Sequence, residues 1–218
     1  MLKIENFEAM GWEHAIRGMR NPKNSWDKSD SRWEPQFDTA QGPVAGEFVI
    51  GPNDHSLMMT LRNAGTDHRK FMRMITVYLD ITAPLYWWKE FDTYKVGTVA
   101  NSCSTMHKIH AKEFTLEDFS CEKLYDPLGD LRPTVDRLNV YRERYLETKD
   151  KNDWWQMIQL LPTSYNQKRT VMLNYEVLAN IYKSRKDHKL DCWHTFCDWI
   201  KSLPYSELIT GQSIEEKD

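Results

Sequence analysis

The sequence is poor in cysteine, and what it has follows no working pattern. Four cysteines occur in 218 residues, Cys103, Cys121, Cys192 and Cys197, too few for a disulfide scaffold in a chain of this length. No Cys-x-x-Cys is present. Two loose groupings, Cys103 with His107, His110 and Cys121, and His188 with Cys192, His194 and Cys197, lack the paired short spacings of a tetrahedral zinc site. Buried thiols and surface histidines are the expectation, and no metal. No apolar run approaches the ~18 residues of a membrane span. The opening "MLKIENFEAM" lacks the charged-then-apolar layout of a secretion signal. A cytoplasmic protein with no membrane attachment is therefore expected. Charge of neither sign dominates: the net charge of -3 speaks against a general DNA, RNA or membrane-surface binder. Internal repeats, low-complexity segments and a convincing Cys/His or Ser/His nucleophile pair are all missing.

What remains is ordinary globular material. The chain is 40% hydrophobic and 28% charged, and long enough to bury a real core. "LKIENF" reads as a strand and "WEHAIRGMRN" as a short amphipathic helix ended by Asn21-Pro22. "NSWDKSDSRWEPQFDTAQGPVAGE", broken by Pro35, Gly42, Pro43 and Gly46, reads as loop. "SLMMTLRNAG" is a helix with Asp54 as N-cap and Gly65 at its stop. "FMRMITVYLDI" alternates, placing Phe71, Arg73, Ile75, Val77, Leu79 and Ile81 on one face of a strand. Pro84 opens a helix running to about Lys95, which Gly97 ends. In the second half, "TVDRLNVYRERYLETKD", "NDWWQMIQLL", "RTVMLNYEVLANIYKSR" and "LDCWHTFCDWIKSL" all read as helices, and "SIEEKD" as a frayed tail. The pattern predicts an α+β fold, a small mostly antiparallel sheet covered by helices, in a single domain over residues 1–210 with a flexible tail at 211–218.

One stretch is unusual: "APLYWWKEFDTYKVGTVANSCSTMH", Ala83 to His107. Aromatic residues are threaded with Lys89, Glu90, Asp92 and Lys95, and after Gly97 the chain turns small and polar. A strand ending in Ala-Pro, an aromatic helix and a Ser/Asn-rich loop resemble, in order and spacing, the flavin-dependent thymidylate synthases of the ThyX type. Counted from Ala83-Pro84, that family's Arg-Gln falls on Lys89 and Glu90. Its Arg-His-Arg falls on Thr93, Tyr94 and Lys95. Its first signature Ser falls on Thr98, its Asn-Glu on Ala100 and Asn101, and its second Ser on Cys103 or Ser104. A second segment, "LLPTSYNQKRTVMLNYEVLANIYKSR", is similar to the family's C-terminal half. Measured from Pro162, its two flavin-contacting Asn fall on Asn174 and Asn180 and its nucleotide-contacting Arg on Arg185. The family's Ala-Gln-x-Glu-Ile-Arg has no counterpart in "LDCWHTFCDWI".

The resemblance implies one-carbon transfer from methylenetetrahydrofolate to C5 of a pyrimidine deoxynucleotide, dUMP, with reduction by flavin hydride. FAD would be the cofactor, NADPH would reload it, and a homotetramer would form its sites between subunits. On this reading Cys103 and Ser104 stand at the catalytic positions. Tyr94, Lys95, Asn174 and Asn180 would contact flavin; Lys89, Glu90, Thr93, Asn101 and Arg185 would contact the nucleotide. No protein nucleophile is needed, because the flavin carries the hard chemistry. The substitutions matter physically. Lys95 keeps charge but not the planar fork of Arg, and Tyr94 can stack yet cannot titrate near neutral pH. Glu90 beside a phosphate needs a pairing cation, Lys89 or Arg73, or else accepts a hydrogen bond from an exocyclic amine, which brings in a cytosine nucleotide. Two alternatives stand beside this reading: an inactive descendant that binds a nucleotide or a protein, and a same-fold enzyme with a changed pyrimidine substrate. Trp87, Trp88 and Phe91 are expected in the core.

Overall fold

The structure is a computed structural model that describes residues 2–38 and 42–211, side chains of 36–45 excepted. Its elements in chain order are β1 (Lys3–Met10), α1 (Trp12–Arg20), β2 (Arg32–Asp38), β3 (Gly42–Val49), α2 (Pro52–Asn63), β4 (Thr76–Pro84), α3 (Leu85–Phe91) and β5 (Val99–Ser102). Then follow α4 (Pro127–Asp130), α5 (Arg132–Thr148), α6 (Lys151–Leu160), β6 (Asn166–Asn174), α7 (Tyr175–Arg185), α8 (Asp191–Lys201) and α9 (Glu207–Thr210). The expected α+β class holds: a four-stranded antiparallel sheet of order β1-β4-β6-β5 and a two-stranded sheet, β2 with β3, accompany the helices. The chain divides into two compact units, residues 1–7 with 79–171 and residues 8–78 with 172–218. The expected tail lies, from residue 212 on, outside the described residues.

Alternation explains β4. Val77, Leu79 and Ile81 are buried to within 1% while Tyr78 faces out, the period-2 signature of a half-buried strand. The strand does not extend back to Phe71, however. Arg69–Met74 is a 3-10 turn in which Phe71 and Met72 are both buried and Arg73 is exposed. β-Branched residues begin only at Ile75, so nothing stiffens the earlier stretch into extended backbone.

The segment "RTVMLNYEVLANIYKSR" is likewise not one helix. β6 runs through Asn174, with Val171 and Leu173 inward and Thr170 outward, and α7 starts at Tyr175. Asn174 fixes the switch, its side-chain oxygen accepting from the Val177 N–H at 3.0 Å as the N-cap of α7, one of the strongest cap types. The spacing of Val171, Tyr175, Leu178 and Tyr182 suits either reading, because strand and helix bury their ends of it.

The second unit contains the largest departure from expectation. The supposed loop of residues 24–47 carries an antiparallel hairpin, Arg32 opposite Val49 and Asp38 opposite Gly42, with a bulge between Glu34 and Gln36. Pro35 sits in that bulge, where its missing N–H costs no ladder bond. A Cβ on Gly46 would lie 2.7 Å from the Glu34 carbonyl oxygen, so the facing strand needs glycine there.

Nor is Asp54 a helix cap. Gly51 precedes α2, and Asp54 is fully buried. Its Oδ1 receives Arg20 Nε at 2.6 Å. Its Oδ2 receives the hydroxyls of Ser29 and Ser31 and the backbone N–H groups of Asp30 and Ser31 at 2.6–3.2 Å. Arg20 spends its other nitrogens on the carbonyls of Ser25 and Lys28. Burial pushes the Asp54 carboxyl up, but the hydrogen bonds from Ser29, Ser31 and Arg20 outweigh it and hold it below its ordinary value.

In the first unit a separate apolar cluster of Ile109, Phe114, Phe119, Leu131, Val135, Leu138 and Met157 holds α5 and α6 together. β1, at one edge of the four-stranded sheet, carries Asn6 at φ 51°, in the left-handed region.

Candidate functional site

In the first unit the segment singled out by its aromatics is α3 and its exit. Trp87, Trp88 and Phe91 are core, 0–2% exposed, with Trp87 stacked on Phe91 at 5.0 Å and Trp88 edge-on to Phe91 at 5.3 Å. The aromatic face of α3 is therefore spent on packing, as expected of it. Of the polar candidates on α3 and its exit, Lys89, Thr93 and Lys95 are exposed, and Glu90 and Tyr94 half-buried. The N–H groups of Leu85 and Tyr86 are taken by the carbonyls of Tyr165 and Thr163 at 3.0 and 3.1 Å. An anion on this segment would have to be held by side chains rather than by the helix end.

The exit loop is pinned. Gly97 turns it at φ 80°, and Thr98 Oγ1 donates to the Tyr94 carbonyl at 2.8 Å. Cys103 is exposed, but its N–H donates to the Lys168 carbonyl at 2.9 Å and its carbonyl accepts from Gln167 Nε2 at 2.7 Å. Ser104 Oγ accepts from the N–H groups of Met106 and His107 at 3.1 and 2.9 Å, capping a turn. Asn101 lies on β5, exposed.

Arg169, which the sequence reading passed over, organises this region. Its guanidinium lies 4.2 Å from the Trp88 ring centroid, reaches Asp92 at 3.0 Å and donates through Nε to Gln167 Oε1 at 3.0 Å. Trp88 Nε1 donates to the Gln167 carbonyl at 2.9 Å. One cation thus links α3, β6 and, through Gln167, the loop at Cys103. Spacing could not have found it, since Arg169 and Asp92 are 77 positions apart. Further along the sheet, Asp80 collects the Thr170 hydroxyl at 2.6 Å, the Asn6 amide at 3.0 Å and the Lys168 ammonium at 3.0 Å. Those donors, Thr170 foremost, hold its carboxyl down to about 2.

In the second unit α7 carries the remaining candidates. Asn174 spends its oxygen on the cap. Asn180 is exposed and its oxygen accepts from Arg69 Nη2 at 3.4 Å. Arg69 is itself paired with the nearly buried Glu176, Nε to Oε2 at 2.8 Å and Nη2 to Oε1 at 3.0 Å. The Arg185 guanidinium lies 4.8 Å from the ring centroid of the buried Trp193 on α8. α7 thus offers two carboxamides and one stacked guanidinium. Lys89, Glu90, Thr93, Tyr94, Lys95, Asn101, Cys103 and Ser104 share the first unit, and Asn174, Asn180 and Arg185 the second.

Among the described residues no group of three His, Cys, Asp or Glu side chains is placed to hold a metal ion, and no helix is long and apolar enough to cross a membrane. No protein-family model and no curated protein matches the chain by sequence. Solved structures do match. Thymidylate synthase X from Helicobacter pylori, crystallised with FAD and dUMP, aligns with a TM-score of 0.71 at 15% identity, over 97% of this chain and 98% of its own. A second structure of the Helicobacter pylori enzyme with FAD and dUMP gives 0.70 at 16% identity, over 96% and 98%. The UMP/dUMP methylase PolB from Streptomyces cacaoi, bound with 5-Br dUMP, gives 0.59 at 13% identity, over 97% and 95%. Over nearly its whole length, this chain has the fold of the flavin-dependent thymidylate synthases.

Proposed function

We propose that this chain is a flavin-dependent enzyme that transfers one carbon from methylenetetrahydrofolate to C5 of a pyrimidine deoxynucleotide, dUMP in the first instance. The observation that carries the reading is the end-to-end likeness to enzymes solved with FAD and dUMP. Asn174, Asn180, Tyr94 and Lys95 are assigned to the flavin. Lys89, Glu90, Thr93, Asn101 and Arg185 are assigned to the nucleotide, and Cys103 and Ser104 to the reacting end. The donor chemistry fits. Asn174 keeps its NH2 after capping α7 with its oxygen, and carboxamides match the carbonyl and imide edges of a flavin ring. Lys89 and Lys95 are exposed cations for phosphate oxygens. Flavin, when bound, supplies the hydride, and NADPH the electrons that reload it.

The chain's own contribution is placement. Arg169 fixes the Cys103 backbone through Gln167, so the loop after β5 is held rather than free to drift, and positioning at this level is worth orders of magnitude in rate. A cytoplasmic homotetramer is part of the same proposal. A second reading, a same-fold protein that binds a nucleotide or a protein partner without turnover, is favoured by Thr93, Tyr94 and Lys95 standing where the family has Arg-His-Arg. The test is an absorbance spectrum after incubation with FAD and desalting. Bands near ~450 nm at about one flavin per chain are expected, followed by turnover of dUMP, with dCMP as the alternative substrate for the Glu90 substitution. A folded protein that retains no flavin overturns the enzyme reading in favour of the second.

A further inference from the structure

The second unit contains a cavity of about 310 Å³ between α1, the turn at Trp26–Lys28 and the β2–β3 hairpin. None of its lining residues is assigned above to flavin or nucleotide. Its size is at the lower end for small-molecule sites, right for one or two fused rings and too small for a dinucleotide. Trp26, Trp33 and Phe48 wall it, over the buried Ile16. Trp26 and Trp33 are 50% and 60% exposed, an unusual outlay of apolar ring surface unless something covers it. Both indole N–H groups are already committed, Trp26 to Asn21 Oδ1 at 2.8 Å and Trp33 to Glu13 Oε2 at 3.1 Å. The rings are thus oriented in advance and offer faces rather than donors.

The charged lining is three arginines, Arg17, Arg20 and Arg32, against one carboxylate, Glu13. Arg20 is used up by Asp54 and two carbonyls. Arg32 pairs with Glu34 at the surface, and Arg17 shares a 3.3 Å hydrogen bond with His14. Among the described residues Arg17 therefore stands at the rim with no carboxylate bonded to it, and Arg32 is held by an exposed pair of the weak kind. The Asp54 network locks the Ser29–Ser31 floor, so the cavity is formed before any ligand arrives.

We infer that this cavity binds a small planar aromatic anion, its ring stacked among Trp26, Trp33 and Phe48 and its carboxylate or phosphate on Arg17 and Arg32. The inference goes beyond the proposed function and stands whether or not flavin is retained. Two sources share this chemistry, a nucleoside monophosphate and an aryl carboxylate. The experiment titrates the full chain with dUMP, with p-aminobenzoylglutamate and with inorganic phosphate by calorimetry, alongside Trp33→Ala and Arg17→Glu. The latter lies at an exposed position that tolerates change, and folding of both variants is checked by circular dichroism. Saturable binding of dUMP that weakens in both Trp33→Ala and Arg17→Glu identifies the nucleotide source, and such binding of p-aminobenzoylglutamate the carboxylate source. Binding untouched by either variant belongs to the site of the proposed function. Either should weaken about tenfold in each folded variant, the usual worth of one stacked ring or one charge contact. Three results overturn the inference: no binding of either aromatic probe, affinities unchanged in the folded Arg17→Glu variant, or inorganic phosphate binding as tightly as the aromatic probes.

Discussion

Asn174 has two polar atoms with separate duties, and they can be separated by substitution. Asn174→Asp keeps an oxygen to accept from Val177 N–H and removes the NH2. Asp and Asn cap about equally well, whereas Ala costs about 1 kcal/mol. Chemical denaturation should therefore find Asn174→Asp within a few tenths of a kcal/mol of the parent and Asn174→Ala lower by about 1 kcal/mol. Flavin retention should fall in both. Retention that survives Asn174→Asp removes Asn174 from the flavin set. Cysteine chemistry sorts in the same way. Burial pushes the Cys197 thiol up to about 11, while Cys103 is exposed. At about pH 8 an aromatic disulfide reagent should modify Cys103 and reach Cys197 only after denaturant is added. The sequence carried the identity of Asn174 but not its role, since a cap and a mid-helix residue look alike until the strand before it is seen.

At the scale of elements, the segment between α1 and α2 depends on one ionised carboxylate. Asp54→Asn leaves Arg20 buried without its counter-charge and leaves one oxygen where two now accept from Arg20, Ser29, Asp30 and Ser31. A loss of about 3–5 kcal/mol in urea denaturation is expected, as for other broken buried pairs. A loss below about 1 kcal/mol would mean that the network relaxes around the amide. The sheet should answer to acid. The Asp80 carboxyl sits at about 2 in the folded chain against an ordinary 3.8. It therefore binds its proton more readily unfolded than folded, and its stabilising contribution is present above pH 3.8 and lost as pH falls to about 2. Asp80→Asn should flatten that part of the stability–pH curve while leaving the neutral region otherwise unchanged in shape. Periodicity revealed β4 and most helices because their apolar spacing is regular. It missed the hairpin because Pro35, Gly42, Pro43 and Gly46 punctuate it, and the bulge that takes up Pro35 opposite Gly46 is visible only once the strands are paired.

At the scale of the molecule, the fold was legible from two segments, the strand end at Ala83-Pro84 and the stretch that follows Pro162. Ala83-Pro84 ends β4, and Pro162 precedes β6. A fold outlasts the chemistry grafted onto it, and here near-complete overlap accompanies 15% identity. The long-range cations Arg169 and Arg69 escaped notice because each finds its carboxylate far off in sequence.

β1 ends the four-stranded sheet on one side, and an edge strand is where unrelated chains add themselves by backbone pairing. Asn6 answers this. Its left-handed backbone, tied down by the 3.0 Å bond to Asp80, breaks the straight run of N–H and C=O groups that a foreign strand would read. Asn6→Val favours extended backbone and loses the tie, so light scattering on concentrated samples should rise for the variant at neutral pH. A variant that stays as clear as the parent would show that the edge is guarded in some other way. The kink then serves solubility: it keeps a sheet built for internal pairing from recruiting strangers.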